Sequence, residues 1–149
     1  MYFGLSEEQE FFQDNVKKFL TDNASIDEIR KIASGEGQEL QSEIYQGIIN
    51  LGVNALLVPE KYGGLGLGLL HAVAISQALG NGVGPIPFSG SYVMAPLAIN
   101  LGGSESQKEE LLPKIVSNET RFGIGLSEFI GCLLYTSDAA DDLLCVDLG

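Results

Sequence analysis

The strongest constraint on the fold is the sequence LVPEKYGGLG at residues 57–66, here called the corner, which separates two apolar stretches. Pro59 has no amide hydrogen and disfavours helical backbone at the preceding residue, so the first apolar stretch must stop there. Gly63, Gly64 and Gly66 permit positive φ or close backbone approach. The sequence therefore predicts a shaped turn between two buried segments, not a flexible linker.

Apolar residues recur at helical spacing through most of the chain. Helices are predicted over residues 6–22, about 26–32, 38–51, 69–79, 91–101 and 104–116, with a loop rich in Gly and Pro at 81–90. Ser6 and Ser104 each precede a glutamine by three residues, which is typical of a capping box. The helix ending before Gly80 is almost wholly apolar, which predicts burial on most sides. We expect Pro96 to kink or restart the fifth helix and Pro113 to tighten or break the sixth.

The periodicity changes after the polar turn at residues 117–120. Phe122, Ile124 and Leu126 alternate with glycines, and this period of two predicts a strand. The predicted organisation is a helical domain at 1–118, the start of a β-domain at 119–131 with its strand at about 121–127, and a separate tail at 132–149.

The tail differs in kind from the sequence before it. Its first eleven residues, CLLYTSDAADD, resemble the conceptual translation of a sequencing-library adaptor. This resemblance predicts that the native sequence ends at Gly131 and that the chain is a truncated reading frame; a natural acidic tail is the alternative. Cys132 and Cys145 both lie in the tail, so residues 1–131 offer no disulfide, thiol nucleophile or cysteine metal ligand.

Composition excludes several classes of function. The net charge is −12, and removing the four aspartates of the tail leaves −8 for residues 1–131. An acidic chain without a Lys/Arg run is a poor ligand for nucleic acid or an anionic membrane. No apolar run approaches the roughly 20 residues needed to span a bilayer, and the N-terminus lacks the pattern of a secretory signal. A soluble cytoplasmic protein is predicted.

Three segments together resemble the N-terminal helical domain of acyl-CoA dehydrogenases. They are the corner, GGSESQKEELLPKIVSNE at 102–119 and FGIGLSE at 122–128, and the resemblance covers residues 5–131. It implies an all-α bundle followed by the first strand of a middle β-domain. It also implies α,β-dehydrogenation of an acyl-CoA thioester with hydride transfer to N5 of FAD, an electron-transfer flavoprotein or similar acceptor, and a homo- or hetero-oligomeric parent.

The third segment carries the cofactor contacts that this resemblance implies. In the family, backbone amides and a hydroxyl at the end of this strand face the flavin ring, where such donors tune its electron affinity. Carried over, Ser127 supplies the hydroxyl in place of the usual threonine, while Ile124 and Leu126 supply backbone and face contacts. Phe129 stands where proline is usual. The catalytic glutamate belongs to the C-terminal half, so we assign no catalytic residue and expect the fragment to be inactive.

Other signals have plainer interpretations. Gly64, Gly66 and Gly68 could form a dinucleotide loop, but no parallel-strand pattern precedes them, so a packing corner is favoured. His71, the single histidine, is predicted to cap or pack rather than to act as an acid or base. The acidic cluster at residues 7–10 fits the first turn of a helix better than a metal site, and no metal ligand is assigned.

Two alternatives to the dehydrogenase interpretation stay open. One is a stand-alone helical interaction module whose corners are purely structural. The other is an acyl-CoA oxidase or flavin monooxygenase of similar architecture, which nothing before residue 131 separates from a dehydrogenase. Val93, Met94 and Leu97 lie on a helix that approaches the acyl chain in the family, but they specify no chain length.

Overall fold

The computed structural model describes residues 4–125, and these residues form an all-α domain as predicted. Its α-helices are α1 (Glu7–Asn23), α2 (Ile26–Ala33), α3 (Gln38–Asn50), α4 (Leu69–Asn81), α5 (Ala95–Gly102) and α6 (Glu105–Val116). A 3₁₀ turn, Glu60–Tyr62, lies in the corner, and a π-helix, Phe88–Met94, runs directly into α5. No helix within these residues is both long and apolar enough to cross a membrane.

The helices share one hydrophobic core. α1 packs mainly on α4, α3 contacts both α1 and α2, and α5 packs on α6. Several apolar side chains of this core are almost completely buried: Val16, Leu20, Ile44, Ile48, Ile75, Leu112 and Ile115. Burial of these side chains is the main stabilising term for such a domain, since each contributes roughly 1.5–3 kcal/mol when removed from water.

Serine capping boxes begin three of the described helices. At Ser6 and Ser104 the hydroxyl accepts the N–H three residues later, and the glutamine there accepts the serine N–H, as predicted. Ser25 does the same with Glu28 at the start of α2. The sequence carried this third signal as well, because Ser-x-x-Glu ahead of an apolar run is a capping box.

The corner turns back on the apolar stretch that precedes it. Leu65 N–H donates to Ala55 O at 2.9 Å, and Leu67 N–H donates to Leu56 O at 2.9 Å. Gly66, with φ of +62°, donates to Val58 O at 2.8 Å. Because these backbone groups are used within the corner, the glycines are committed to packing, and the predicted shaped turn is confirmed.

One predicted helix end is wrong, and the break that was an alternative at Pro113 does not occur. α4 continues through Gly80 to Asn81, since a single glycine costs a helix only about 1 kcal/mol. α6 continues through Pro113 to Val116. Proline removes the hydrogen bond to the carbonyl of Glu109, an exposed residue, so water can satisfy that carbonyl and the helix persists.

The prediction that α4 is buried on most sides is also wrong. Leu69, Leu70 and Val73 are 55%, 63% and 59% exposed, whereas Ala74 and Ile75 on the opposite side are buried. α4 contacts chiefly α1, which covers one side of a helix that carries no charged residue. An apolar composition therefore did not determine how many neighbours the helix has.

The predicted loop at 81–90 and the predicted helix at 91–101 meet differently from expectation. A π-helix begins at Phe88, inside the predicted loop, and continues to Met94. α5 then begins at Ala95 with Pro96 in its first turn, where the fixed φ of proline suits the start of a helix. The expected restart at Pro96 is confirmed.

No strand forms among residues 4–125. Residues 121–125 have neither helical nor strand structure, because a strand requires a neighbouring strand as a hydrogen-bond partner and the described residues offer none. The strand at about 121–127 stays a prediction. Residues from 126 onward lie outside the described residues. They include the last two residues of this predicted strand, the rest of the segment at 119–131 and the tail at 132–149.

Candidate functional site

The predicted cofactor-contacting residues lie where the chain leaves α6, in a stretch here called the exit segment (residues 117–125). Ile124 belongs to it and is half-buried. Leu126 and Ser127 fall outside the described residues, so their contacts stay predictions. The described part of the site therefore consists of the exit segment and the side chains that hold it.

Two buried tyrosines fix the start of the exit segment. Tyr45 of α3 donates its hydroxyl to Asn118 Oδ1 at 2.7 Å, and the hydroxyl of Tyr92 in the π-helix lies 3.1 Å from the same oxygen. The two tyrosine hydroxyls also contact each other. Asn118 has φ of +57°, a left-handed conformation that asparagine adopts more readily than most residues. Three elements thus meet at one side chain and set the direction in which the chain leaves α6.

A second contact holds the exit segment further along. Ser91 of the π-helix is buried and donates its hydroxyl to the carbonyl oxygen of Phe122 at 2.7 Å. The N–H groups of residues 121–125 donate no backbone hydrogen bond to any described residue. A Cβ built on Gly123 or Gly125 would meet no atom within 4 Å. The segment therefore offers N–H donors next to open space, while its other side is fixed to the domain.

Asn54, in the apolar stretch that precedes the corner, contacts the last turn of α6. Its side chain is only 2% exposed, and its amide donates to the carbonyl oxygens of Ile115 at 3.0 Å and Val116 at 2.8 Å. These carbonyls belong to the last turn of α6, where helical N–H donors become scarce; the Ile115 carbonyl also accepts the N–H of Asn118 at 3.1 Å. The apolar stretch before the corner and the carboxyl end of α6, from which the exit segment starts, are thereby joined through one buried side chain.

The segment expected to approach an acyl chain is partly open. Val93 and Leu97 are half-buried and pack against the core, whereas Met94 is 36% exposed. Val93 and Met94 end the π-helix, and Leu97 lies in α5. Their positions leave an apolar side chain available on the element that also carries Ser91 and Tyr92.

His71 packs, as predicted. Its ring meets the ring of Phe12 edge-on with centroids 6.3 Å apart, and Nε2 lies 3.5 Å from a carboxylate oxygen of Glu8. Within residues 4–125, no group of three or more His, Cys, Asp or Glu side chains is placed to hold a metal ion.

Sequence reasoning missed the residues that hold the exit segment: Tyr45, Asn54, Ser91, Tyr92 and Asn118. A weak signal existed, because a polar side chain within an apolar helical run must find hydrogen-bond partners once it is buried. The sequence does not say which partners. Tyr45 and Tyr92 are 47 positions apart, and only the tertiary packing brings them together.

We expect Tyr92→Phe to lower the free energy of unfolding by about 1 kcal/mol, since Tyr45 still donates to Asn118. The change should also alter the pH dependence. Burial, and next the hydrogen bond with Tyr45, raises the pKa of the Tyr92 hydroxyl far above its ordinary value. The unfolded chain therefore loses this proton first, and wild-type stability should fall as the pH rises above about 10.

Urea unfolding at about pH 8 and about pH 10.5 tests this prediction. The Tyr92→Phe variant lacks the ionising group, so it should lose less stability between the two pH values than the wild type does. An equal loss in both proteins would show that the hydroxyl is not held in its neutral form by the fold.

Comparison with known proteins shows which proteins have similar sequences. Residues 6–119 match the family model described as the acyl-CoA dehydrogenase N-terminal domain. The chain is 35% identical over 129 residues to mitochondrial isovaleryl-CoA dehydrogenase of Pongo abelii, covering 84% of this chain and 30% of that protein. It is 30% identical over 120 residues to (2S)-methylsuccinyl-CoA dehydrogenase of Cereibacter sphaeroides, covering 78% of this chain and 21% of that protein.

The chain thus spans less than a third of the length of these two relatives. No solved structure matches it. The family match contains every α-helix of the described domain, from Glu7 to Val116, and it ends within the exit segment. The chain therefore belongs to the acyl-CoA dehydrogenase family, and its residues 6–119 form the N-terminal domain that is typical of that family.

Proposed function

We propose that this chain is the N-terminal part of an FAD-dependent acyl-CoA dehydrogenase, which converts an acyl-CoA thioester to its α,β-unsaturated product. The exit segment carries the proposal. Its unused N–H donors, together with the open space beside Gly123 and Gly125, fit the edge of a planar group such as a flavin ring. Its opposite side is fixed by Ser91 and by the Tyr45–Tyr92–Asn118 hydrogen bonds.

The residues proposed to contact the cofactor have distinct roles. Ile124 and Leu126 give apolar and backbone contacts that keep water from the ring, and Ser127 gives a hydroxyl donor. FAD, when bound, supplies the hydride acceptor that no side chain can provide. The π-helix and the two tyrosines act only by positioning the exit segment, so the chain orients the cofactor without taking part in bond breaking.

The catalytic base lies outside this chain in our proposal. The family resemblance puts the base, a glutamate, in the C-terminal half, and the chain covers only 30% of its relative from Pongo abelii. We propose that residues 119–131 begin the middle β-domain and that residues 132–149 derive from an adaptor. The 149-residue chain alone is then expected to bind no stoichiometric flavin and to show no dehydrogenase activity.

Sequencing the source DNA across the codon for Gly131, from a template prepared without adaptors, is the direct test. We expect the reading frame to continue into a β-domain and a second helical domain with a candidate glutamate. The full-length protein should purify with flavin absorbance and oxidise an acyl-CoA, with isovaleryl-CoA and a straight-chain acyl-CoA as first substrates. The 149-residue chain, purified in parallel, should show neither property.

Two results would contradict this proposal. A genomic stop codon directly after a natural tail would favour the stand-alone interaction module, and stoichiometric flavin on the 149-residue chain would refute its expected inactivity. An active full-length protein that reduces oxygen directly would be an oxidase or monooxygenase instead. Transfer of its electrons to an electron-transfer flavoprotein would support a dehydrogenase.

The remaining parts of the proposal concern the parent protein. We propose a homo- or hetero-oligomer located in the cytoplasm and without a nucleic-acid or membrane partner. The net charge of −8 for residues 1–131 supports the last point. Cell fractionation and size-exclusion chromatography of the full-length protein test the location and the oligomeric state. The relative from Pongo abelii is named as a mitochondrial protein, so fractionation should include mitochondria where the source cell has them.

A further inference from the structure

We propose that Arg121 and the polar side chains beside it bind a small oxyanion, a phosphate or carboxylate group, in a cavity separate from the flavin-facing side of the exit segment. The cavity has a volume of about 230 Å³. It lies between α3, the loop that carries Pro85 and Pro87, and Arg121. A cavity of this size is smaller than the roughly 300–1,000 Å³ of sites for drug-sized ligands, which favours a small anion.

The two arginines of the chain are in different situations. Arg30 forms an ion pair with Asp27 at 2.9 Å. Arg121 forms no ion pair with any residue that the structure describes, although the chain has 20 acidic residues. A permanently charged guanidinium that pairs with no carboxylate of residues 4–125 is available to an external anion.

The ring of Tyr45 holds the guanidinium in place. The central carbon of the Arg121 guanidinium lies over that ring, 4.2 Å from its centre, in a cation–π contact. The N–H groups at its edge remain able to donate in the plane. Tyr45 is itself fixed by its hydrogen bond to Asn118, and binding therefore requires little ordering of this part of the site.

The rest of the cavity supplies matching donors. Gln38, Gln41 and Ser42 of α3 line it, and their side chains make no hydrogen bond to any described residue. Amides and a hydroxyl can donate to an oxyanion, while a guanidinium can donate two parallel bonds to it. No carboxylate lines the cavity. The donor set fits phosphate or carboxylate oxygens and does not depend on the flavin assignment.

The test uses the 149-residue chain and the side-chain Nε–H signals of its two arginines in ¹⁵N–¹H NMR spectra. Inorganic phosphate is titrated against sodium chloride at equal ionic strength, and acetate is a second probe. We expect the Arg121 signal to shift saturably with phosphate, acetate or both, while the Arg30 signal does not. The tighter of the two probes distinguishes a phosphate from a carboxylate ligand.

Variants separate a site from a general charge effect. Binding to the variants is followed by the side-chain amide signals of Gln38 and Gln41, which line the cavity. Arg121→Gln should weaken binding at least about tenfold, and Arg30→Gln, which also removes one positive charge, should leave it unchanged. Arg121→Lys keeps the charge but loses the planar fork, and it too should bind at least severalfold more weakly. Equal binding by the Lys variant, equal shifts at both arginines, or no saturable shift with either probe would overturn the proposal.

Discussion

Asn54→Asp is expected to lower the free energy of unfolding by about 3–5 kcal/mol at pH 7, the cost typical of an unpaired buried charge. The side chains have nearly the same shape, so packing is conserved. The change replaces an amide that donates to the carbonyl oxygens of Ile115 and Val116 with a carboxylate that repels them. Because the site is 2% exposed, water cannot compensate.

The penalty should depend on pH in a defined direction. A buried carboxyl facing two carbonyl oxygens has a raised pKa in the folded state, and its protonated form can donate to one of them. The penalty is therefore complete above that raised pKa and declines as the pH falls towards the unfolded value of about 3.9. We expect the stability difference between variant and wild type to be smaller at about pH 5 than at about pH 7.

Asn50→Asp is the matched control for this prediction. Asn50 is exposed, and its Oδ1 already accepts a hydrogen bond from Gln46 at 3.0 Å, so a carboxylate keeps that role. It adds the same charge to the chain, yet its effect should stay within about 0.5 kcal/mol. Urea unfolding followed by circular dichroism measures both variants, and equal losses would show that Asn54 is not the buried donor described.

Gly64→Ala is expected to cost about 3 kcal/mol, near the upper end of the usual range for overpacking. A Cβ at this position would lie 2.0 Å from the carbonyl oxygen of Val58. That oxygen accepts the N–H of Gly66, and Val58 is fully buried. The clash is therefore with fixed backbone, and relief requires the corner to open and lose hydrogen bonds.

Gly80→Ala is the matched control, because it makes the same substitution at a position where a Cβ has space. A Cβ at Gly80 would meet nothing within 4 Å, and the residue lies inside α4. Alanine is the better helix former by about 1 kcal/mol, so this variant should be as stable as the wild type or slightly more stable. If Gly64→Ala unfolds at the same urea concentration as the wild type, the close contact between Gly64 and the Val58 carbonyl described here is wrong.

Local sequence signals predicted the parts of the fold that depend on local interactions. The capping boxes at Ser6 and Ser104 involve residues only three positions apart, and both are confirmed. The corner was recognised because its proline and glycines restrict the backbone within a few residues. The all-α class followed from helical periodicity, which repeats within each element. The family resemblance at 57–66 and 102–119 agrees with the match over residues 6–119.

The errors arose where distant neighbours decide the outcome. Pro113 was expected to disturb α6, but the carbonyl that it leaves free belongs to an exposed residue. The composition of α4 indicated burial on most sides, yet its described neighbours cover one face. Neither result can be obtained from local pattern, because exposure depends on which other elements pack there.

The sequence by itself determined the helices, their caps, the corner and the family, since each of these depends on short-range chemistry or on a recognisable motif. The tertiary structure alone decided which side chains hold the exit segment. Asn54, Tyr45 and Tyr92 lie in helical or apolar stretches that show no functional signal. Their polar groups are buried, so each must find a partner, and that partner lies 26 to 73 positions away. Packing of the whole domain therefore fixes the exit segment as far as Phe122.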